Sequence, residues 1–181
     1  DGTIYPRKFS QRKLPLFLEA QVHALKIEKD RSSLRNIYQA VKKSELYDKK
    51  LKMYKVTGDL SNALYEIGRC RTFSRGWLEN ESIWLHMEYK YLLEILEAGL
   101  YEEFYSEFKN VLICFQKPEQ YGRSILENSS FLTSSVFPDK NLAGTGFVAR
   151  LSGSTAEFVH IWRIMNVGQN PFFINRNGEL N

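Results

Sequence analysis

The chain has 181 residues and a net charge of +4, with 43% hydrophobic and 25% charged residues. This composition is ordinary for a globular protein, and the length suits one sizeable core or one large piece of a bigger domain. Lys and Arg alternate with apolar and acidic residues and accompany no nucleic-acid motif, so we expect no nucleic-acid partner. No apolar run is long enough to cross a membrane, so we expect no membrane partner either.

The cysteine and aromatic residues narrow the expected class of protein further. Cys70 and Cys114 lie far apart and show no metal-ligand spacing. We therefore expect neither a disulfide framework nor a metal site, and the cytoplasm is the expected location. Aromatic residues make up 14% of the chain. They suit either a packed helical core, which is the commoner reason, or a sugar-binding cleft, because aromatic faces stack on sugar rings.

The first part of the chain, up to residue 82, predicts three helices and a loop. Apolar residues recur at helical spacing within 10–30, which predicts a helix that starts near Pro15. A second helix is predicted within 31–51. A short third helix is predicted within 61–70 and should end near Gly68. Residues 73–82 are predicted to form a loop.

Two longer helices are predicted next. The segment 83–98 is apolar on nearly all sides and stops at Gly99, which predicts a central position in the core. The segment 101–115 carries one apolar stripe, and its helix should end at Pro118. Because only about two residues join them, the two helices should form an antiparallel hairpin.

The last third of the chain predicts an irregular stretch, a helix and a tail. Residues 121–153 are rich in Ser, Thr, Gly and Asn, and long irregular stretches in compact domains are often functional. A helix is predicted over 154–168. Its inward face is predicted to comprise Phe158, Ile161, Trp162 and Met165. Residues 171–181 resemble a strand that enters a turn at 177–178 and has no partner strand.

Polar residues at the start of the central helix form the first candidate site. Glu79 and Asn80 precede the helix, and His86 lies one turn into it. Asn is a fair N-cap and an acid suits the positive end of a helix, so a structural role would explain the pair. His86 is either a hydrogen-bonded core histidine or a binding residue.

The second candidate site is the start of the last helix, Ser152-Gly153-Ser154. Ser154 and Glu157 fit the S-x-x-E capping box, which requires no ligand. Gly153 nevertheless lets another group approach the backbone closely. The free amides at the start of a helix can hold an anion. A plain capped helix and an anion site are both open interpretations.

The third candidate is Glu127, which would lie one turn from Arg123 in a helix. An exposed ion pair is the plain interpretation, and a sugar-binding carboxylate is the alternative. The sequence shows no Ser-His-Asp order, glycine-rich nucleotide loop or metal motif. Glutamates are therefore the available candidates for acid–base chemistry.

Together these segments resemble the cellobiose and chitobiose phosphorylases of glycoside hydrolase family 94. Those enzymes carry an E-N-x-x-I-aromatic-x-H stretch at the start of a barrel helix, which here spans residues 79–86. They also carry a Thr-Gly-Ser stretch that opens a later helix, which here is Ser152-Gly153-Ser154 at a similar distance along the chain. The resemblance covers roughly residues 75–170.

The resemblance implies a mostly α fold, a portion of an (α/α)6 barrel with about six helices and a short β tail. Residues 1–170 would be a partial catalytic domain, and 171–181 the truncated start of a following β segment. The implied activity is inverting phosphorolysis of a β-linked disaccharide to a sugar 1-phosphate. By resemblance, phosphate would be bound by His86, Ser152 and Gly153. Sugar would be contacted by Glu79, Glu127 and Thr133.

The departures from the family pattern limit what the resemblance implies. The general acid of the family is an Asp in a motif that this chain lacks, so we expect it upstream of residue 1 and expect the isolated chain to be inactive. Ser152 replaces the usual Thr, and Thr133 stands near a position where the family often has a sugar-binding Gln. These departures leave two alternatives open: donor and acceptor sugars that differ from those of cellobiose, or hydrolysis in place of phosphorolysis.

The expected partners are an oligosaccharide and inorganic phosphate, the latter as co-substrate, with no further cofactor. A homodimer is kept open for the full-length protein. The alternatives are a non-catalytic carbohydrate-binding or helical scaffold domain, a related glycoside hydrolase, and a helical interaction module with an exposed apolar groove.

Overall fold

The computed structural model describes residues 2–149 and 153–180. Within them the chain is mostly helical, as the sequence predicts, and it has a few short strands. The six α-helices in this part of the chain are α1 Leu18–Ile27, α2 Arg31–Lys43, α3 Leu85–Glu97, α4 Tyr101–Val111, α5 Pro118–Tyr121 and α6 Gly153–Val167.

In the same described residues, five short strands form two antiparallel sheets. The strands are β1 Tyr47–Asp48, β2 Met53–Tyr54, β3 Ile83–Trp84, β4 Ser129–Leu132 and β5 Gly146–Ala149. Strands β1 and β2 pair with each other, and the other three form a sheet in the order β3-β4-β5. In this second sheet Trp84 lies opposite Phe131, and Phe131 lies opposite Phe147. These three rings stack side by side across the strands.

Helix α3 is the centre of the core. It packs against α1, α4 and α6. Its buried apolar side chains lie on most of its circumference, and they are Leu85, Tyr89, Tyr91, Leu92, Leu93, Ile95 and Leu96. The predicted central position is therefore confirmed. The helix begins at Leu85 and not at residue 83, because Ile83 and Trp84 pair with β4 as a strand.

The first helices are confirmed with changes at their ends. Helix α1 begins at Leu18 and not near Pro15, because Phe17 forms a β-bridge with Thr57. Asp30 caps α2 by accepting a hydrogen bond from the Ser33 backbone N–H at 2.7 Å. The short helix predicted within 61–70 is instead a pair of 3-10 turns, Tyr65–Ile67 and Arg69–Thr72.

The region after α4 differs from the prediction at Pro118. Helix α4 ends at Val111, and a 3-10 turn, Ile113–Phe115, follows it. Pro118 begins α5 instead of ending the preceding helix. Proline is well suited to this first helical position because the missing N–H would have no helical partner there.

The irregular stretch predicted over 121–153 contains regular structure. Strands β4 and β5 lie within it and pair with each other, and β4 also pairs with β3. Strand β3 lies far upstream of β4, so no local sequence pattern predicts that the two strands pair. The expectation of a wholly irregular stretch was therefore wrong.

Helix α6 faces the core with a set of residues that differs from the predicted one. Ile161 and Ile164 are buried, while Phe158 and Met165 are partly buried against the core. Trp162 is 59% exposed, so its predicted inward position is wrong.

The tail folds back on itself. Ile174 and Leu180 form an antiparallel bridge. The Asn175 side-chain oxygen accepts hydrogen bonds from the backbone N–H groups of Asn177 and Glu179. The expectation of a strand without a partner is therefore wrong, whereas the assignment of 171–181 to a following segment stays a prediction.

None of the helices in the described part of the chain combines the length and apolar character needed to cross a lipid bilayer.

Candidate functional site

The structure brings His86 and Gly153 into contact. His86 is the second residue of α3, and its side chain is 34% exposed. Its imidazole lies over Gly153, the first residue of α6, so closely that a Cβ at position 153 would overlap the ring. A larger residue at position 153 would force the imidazole to move, because the ring occupies the space of a side chain. Two of the three predicted phosphate-binding residues are thus neighbours, and the third, Ser152, lies outside the described residues.

Glu157 is the second partner of His86. Its Oε1 lies 3.4 Å from Nε2 of the imidazole. Glu157 stands one helical turn after Gly153, so both residues lie on the same face of α6. The capping-box interpretation does not describe this arrangement well, since Ser154 is a buried residue inside the helix and Glu157 turns towards His86. The four-residue spacing from Gly153 was the signal that could have placed Glu157 at this site.

A chain of hydrogen bonds fixes the start of α6 to α3. The Tyr89 hydroxyl donates to Asn128 Oδ1 at 3.0 Å, and Asn128 Nδ2 donates to Thr155 Oγ1 at 3.2 Å. Tyr89 also accepts a hydrogen bond from the Ile113 backbone N–H. Burial raises the pKa of the Tyr89 hydroxyl well above its usual range, so it stays a neutral donor. Sequence reasoning missed this series of hydrogen bonds, because Tyr89, Asn128 and Thr155 come from three distant segments.

Glu127 lies directly before Asn128 and is therefore near the same helix start. Its carboxylate pairs with Arg123 at 3.2 Å, as the plain interpretation predicts. The two residues are joined by a turn and not by a helix, and the Tyr121 hydroxyl donates to the Glu127 backbone carbonyl. The role of Glu127 in sugar binding stays a prediction.

Glu79 lies in the loop before β3, six residues before the start of α3. Its Oε1 is 3.3 Å from Arg69, while its Oε2 is buried and accepts no hydrogen bond from any described residue. Asn80 does not cap α3, because its Nδ2 donates to the Phe73 carbonyl at 2.7 Å and Trp84 occupies the cap position. Asn80 therefore closes the loop that carries Glu79.

Thr133 is fully buried at the end of β4. Its hydroxyl donates to the Leu142 carbonyl, and its backbone N–H donates to the Thr145 carbonyl. These bonds join the two ends of the connection between β4 and β5. A sugar could reach this hydroxyl only if that connection opened, so sugar binding by Thr133 stays a prediction that the geometry does not favour.

The arrangement can hold an anion without a metal ion. An imidazole and the first amides of a 15-residue helix meet at Gly153. The helix dipole and free N–H groups at such an end favour negative charge. In the described ranges, 2–149 and 153–180, no group of three or more His, Cys, Asp or Glu side chains could hold a metal ion.

The candidate site therefore consists of His86 on α3, the first turn of α6 and the Glu127-Asn128 segment. Glu79 lies apart from this group in its own loop. Compared with models of known protein families and with curated proteins, the chain matches none.

Proposed function

We propose that this chain forms the phosphate- and sugar-binding part of an inverting glycoside phosphorylase, and that its helices are a portion of an (α/α)6 barrel. The single observation that carries the proposal is the contact between His86 and Gly153. These residues belong to the two motifs that resemble family 94, and they are 67 positions apart in the sequence. The packing of α6 against α3 brings the two motifs together, as a shared phosphate site would require.

The site chemistry suits inorganic phosphate. Phosphate would lie at the start of α6, where it accepts hydrogen bonds from backbone N–H groups and from the imidazole. The Glu157 carboxylate lies beside the His86 imidazole and orients it through contact with the imidazole Nε2. Because the helix and the ring are both fixed before phosphate arrives, little ordering is needed on binding.

The reaction would be a single inverting displacement. A phosphate oxygen attacks the anomeric carbon, the glycosidic C–O bond breaks, and a carboxylic acid gives its proton to the departing oxygen. Phosphate is already an anionic nucleophile, so the second carboxylate that an inverting glycosidase uses to activate water is not needed. The residues assigned to phosphate and sugar do not include the proton donor, and no cofactor is required.

The sugar would be contacted from two sides. Glu127 lies beside Asn128, which is bonded to the first turn of α6. Glu79 lies in its own loop, and its side chain is 33% exposed. Both are able to accept hydrogen bonds from sugar hydroxyl groups.

The test follows phosphate release from α-glucose 1-phosphate with a panel of sugar acceptors. It is made on a polypeptide that contains both these 181 residues and the expected proton donor. The proposal predicts release that needs an acceptor and that falls at least about a hundredfold in His86→Ala. His160→Ala is the matched control, since His160 also lies within 3.7 Å of a carboxylate, that of Glu97, but is two turns along α6.

The two outcomes separate the proposal from its alternatives. Release that depends on the acceptor and on His86, but not on His160, supports a phosphorylase. Hydrolysis of a disaccharide without any dependence on phosphate would indicate a glycoside hydrolase instead. If neither reaction occurs with any sugar tried, the proposed catalytic role is contradicted.

A further inference from the structure

A lysine-rich cavity of about 520 Å³ lies beside the β1–β2 hairpin. Its walls come from the end of α2, the hairpin, and the loops that precede β3 and follow β4. They carry five cationic side chains, which are Lys43, Lys49, Lys50, Lys55 and Arg75. Three carboxylates also line it, those of Glu45, Asp48 and Glu81. The volume falls in the range of roughly 300–1,000 Å³ that is typical of small-molecule sites.

Two of the five cations are held by acidic partners in the fold. Glu81 is buried, and its carboxylate pairs with Lys55 at 2.6 Å and with Arg75 at 2.5 Å. Arg75 also lies 3.5 Å from the Asp59 carboxylate. This network joins the segment after β2 to the loop before β3, so one wall of the cavity is fixed before any ligand binds.

The other two carboxylates of the walls are engaged by the backbone. Asp48 is buried, and both of its carboxylate oxygens accept hydrogen bonds from backbone N–H groups. Glu45 is exposed, and its Oε2 accepts a long hydrogen bond of 3.4 Å from the Asp59 backbone N–H. Neither carboxylate forms an ion pair with a lysine of the walls in the described part of the chain.

The rim lysines, Lys43, Lys49 and Lys50, therefore lack an acidic partner. All three are exposed and line the cavity. The lysines that do pair with a carboxylate in the described residues are Lys26, Lys42, Lys55 and Lys90. An ammonium group offers three N–H donors and no acceptor. A cleft lined by unpaired charges of one sign attracts a ligand of the opposite sign, which here is an anion.

We propose that this cavity binds the phosphate monoester of a small sugar, with the phosphate at the rim lysines and the sugar against Tyr47 and Ser135. A phosphate monoester carries a charge of roughly −1.5 to −2 at neutral pH, and its oxygens accept several charge-assisted hydrogen bonds at once. Tyr47 and Ser135 also line the cavity, and their hydroxyl groups can exchange hydrogen bonds with those of a sugar. The site is separate from the one at His86, because the two share no residue.

A nucleotide suits the cavity less well than a sugar phosphate does. A base gains affinity by stacking on an aromatic ring. Tyr47 supplies the one aromatic ring among the described wall residues. The Lys42 ammonium lies 3.8 Å from the centroid of this ring, and the centroid of the Tyr54 ring lies 5.1 Å from it. Because these two groups already pack on the ring, a base would have to displace one of them.

The test titrates the His86→Ala variant with glucose 6-phosphate by isothermal titration calorimetry, so that the His86 imidazole contributes nothing. Glucose, inorganic phosphate and AMP are titrated in parallel at the same pH and ionic strength. Glucose 6-phosphate should bind at least about tenfold more tightly than each of the other three, because it alone combines a phosphate with a sugar and carries no base.

Variants of the rim lysines test where the ligand binds. The triple variant Lys43→Gln, Lys49→Gln and Lys50→Gln, made in the His86→Ala background, should lower the affinity for glucose 6-phosphate at least about tenfold, because three charged contacts are lost together. Lys109→Gln is the matched control, since Lys109 is exposed on α4 and lies outside the cavity. Arginine at the three rim positions keeps the charge and should preserve binding. Circular dichroism checks that each variant is folded.

The proposal is overturned if glucose 6-phosphate does not bind, or if glucose, inorganic phosphate or AMP binds as tightly. Equal affinities for the triple variant and for Lys109→Gln would overturn it as well. Because the titrations are made without the His86 imidazole, phosphate release by the enzyme can occur while this test fails, and the converse also holds.

Discussion

At the scale of single residues, Glu88 is the clearest case of a side chain whose ionisation depends on the fold. It is fully buried on α3, next to the residues that form the candidate site. Its Oε1 accepts the Tyr54 backbone N–H at 2.7 Å, and its Oε2 has no hydrogen-bond partner in the described residues. Burial raises the pKa of this carboxyl well above its usual value of 4.5, with nearby Glu107 and Asp48 acting in the same direction.

This raised pKa predicts how stability depends on pH. The folded chain keeps the Glu88 proton above pH 4.5, whereas the unfolded chain releases it, so the contribution of Glu88 is present at low pH and is lost as the pH rises. The free energy of unfolding, measured by urea denaturation, should fall between pH 5 and pH 8. Glu88→Gln keeps an acceptor for the Tyr54 N–H and cannot ionise. The free energy of unfolding of this variant should therefore fall less over the same pH range. Parallel pH profiles for the two proteins would contradict a buried, protonated Glu88.

A second residue-scale prediction concerns the contact between His86 and Gly153. Gly153→Ala places a methyl group in the space of the imidazole. The overlap should destabilise the fold by roughly 1–3 kcal/mol, as is typical of overpacking. Urea denaturation measures the effect.

His86→Ala provides the control for that prediction. When the ring is absent the three atoms nearest to the added methyl group are gone, so Gly153→Ala should cost much less in the His86→Ala background. This coupling is what a double-mutant cycle measures for residues in contact. If the two substitutions are additive, the ring does not lie over Gly153.

At the scale of elements, the start of α6 is positioned by side chains and not by helix propensity alone. Asn128 joins Tyr89 on α3 to Thr155 on α6. Helix α6 also packs closely against α3. The geometry of the anion site therefore depends on a residue that need not contact the anion itself.

Asn128→Ala tests this positioning. It removes two hydrogen bonds, and it should lower the free energy of unfolding by roughly 1–3 kcal/mol. Amide hydrogen exchange at residues 154–157 should become faster, because the first turn of α6 loses its tether. Asn166→Ala is the matched control, since Asn166 is exposed on the same helix and donates only to the Trp162 carbonyl. Equal exchange rates in the two variants would contradict a role for Asn128 in holding the helix start.

The elements also show which predictions a single sequence supports. Helix α3 was predictable because a long segment that is apolar on all sides has few other arrangements, and its stop at Gly99 was clear. Strand β3 was not, because two residues become a strand only through pairing with β4, which lies far downstream. Trp162 was placed inward by its hydrophobicity, yet the helix packs through Ile161 and Ile164.

At the scale of the whole molecule, the candidate site exists only when the helices assemble. His86 belongs to α3 and Gly153 to α6, and the two helices are brought together by the core around Ile161 and Ile164. The sequence predicted the motifs that contain both residues, through their resemblance to family 94. It did not predict Glu157, Asn128 or Tyr89 as their neighbours, because those contacts depend on how the helices pack. The candidate phosphate site is therefore a property of the assembled fold.

The most direct test of the central claim is a titration of the chain with inorganic phosphate, followed by calorimetry at constant pH and ionic strength. The wild-type chain should bind phosphate at one site, and His86→Ala should lower the affinity at least about tenfold, as expected when one charge-assisted hydrogen bond is lost. His160→Ala should bind as the wild type does. No measurable binding by the wild type, or equal affinities for wild type and His86→Ala, would contradict a phosphate site between His86 and the start of α6.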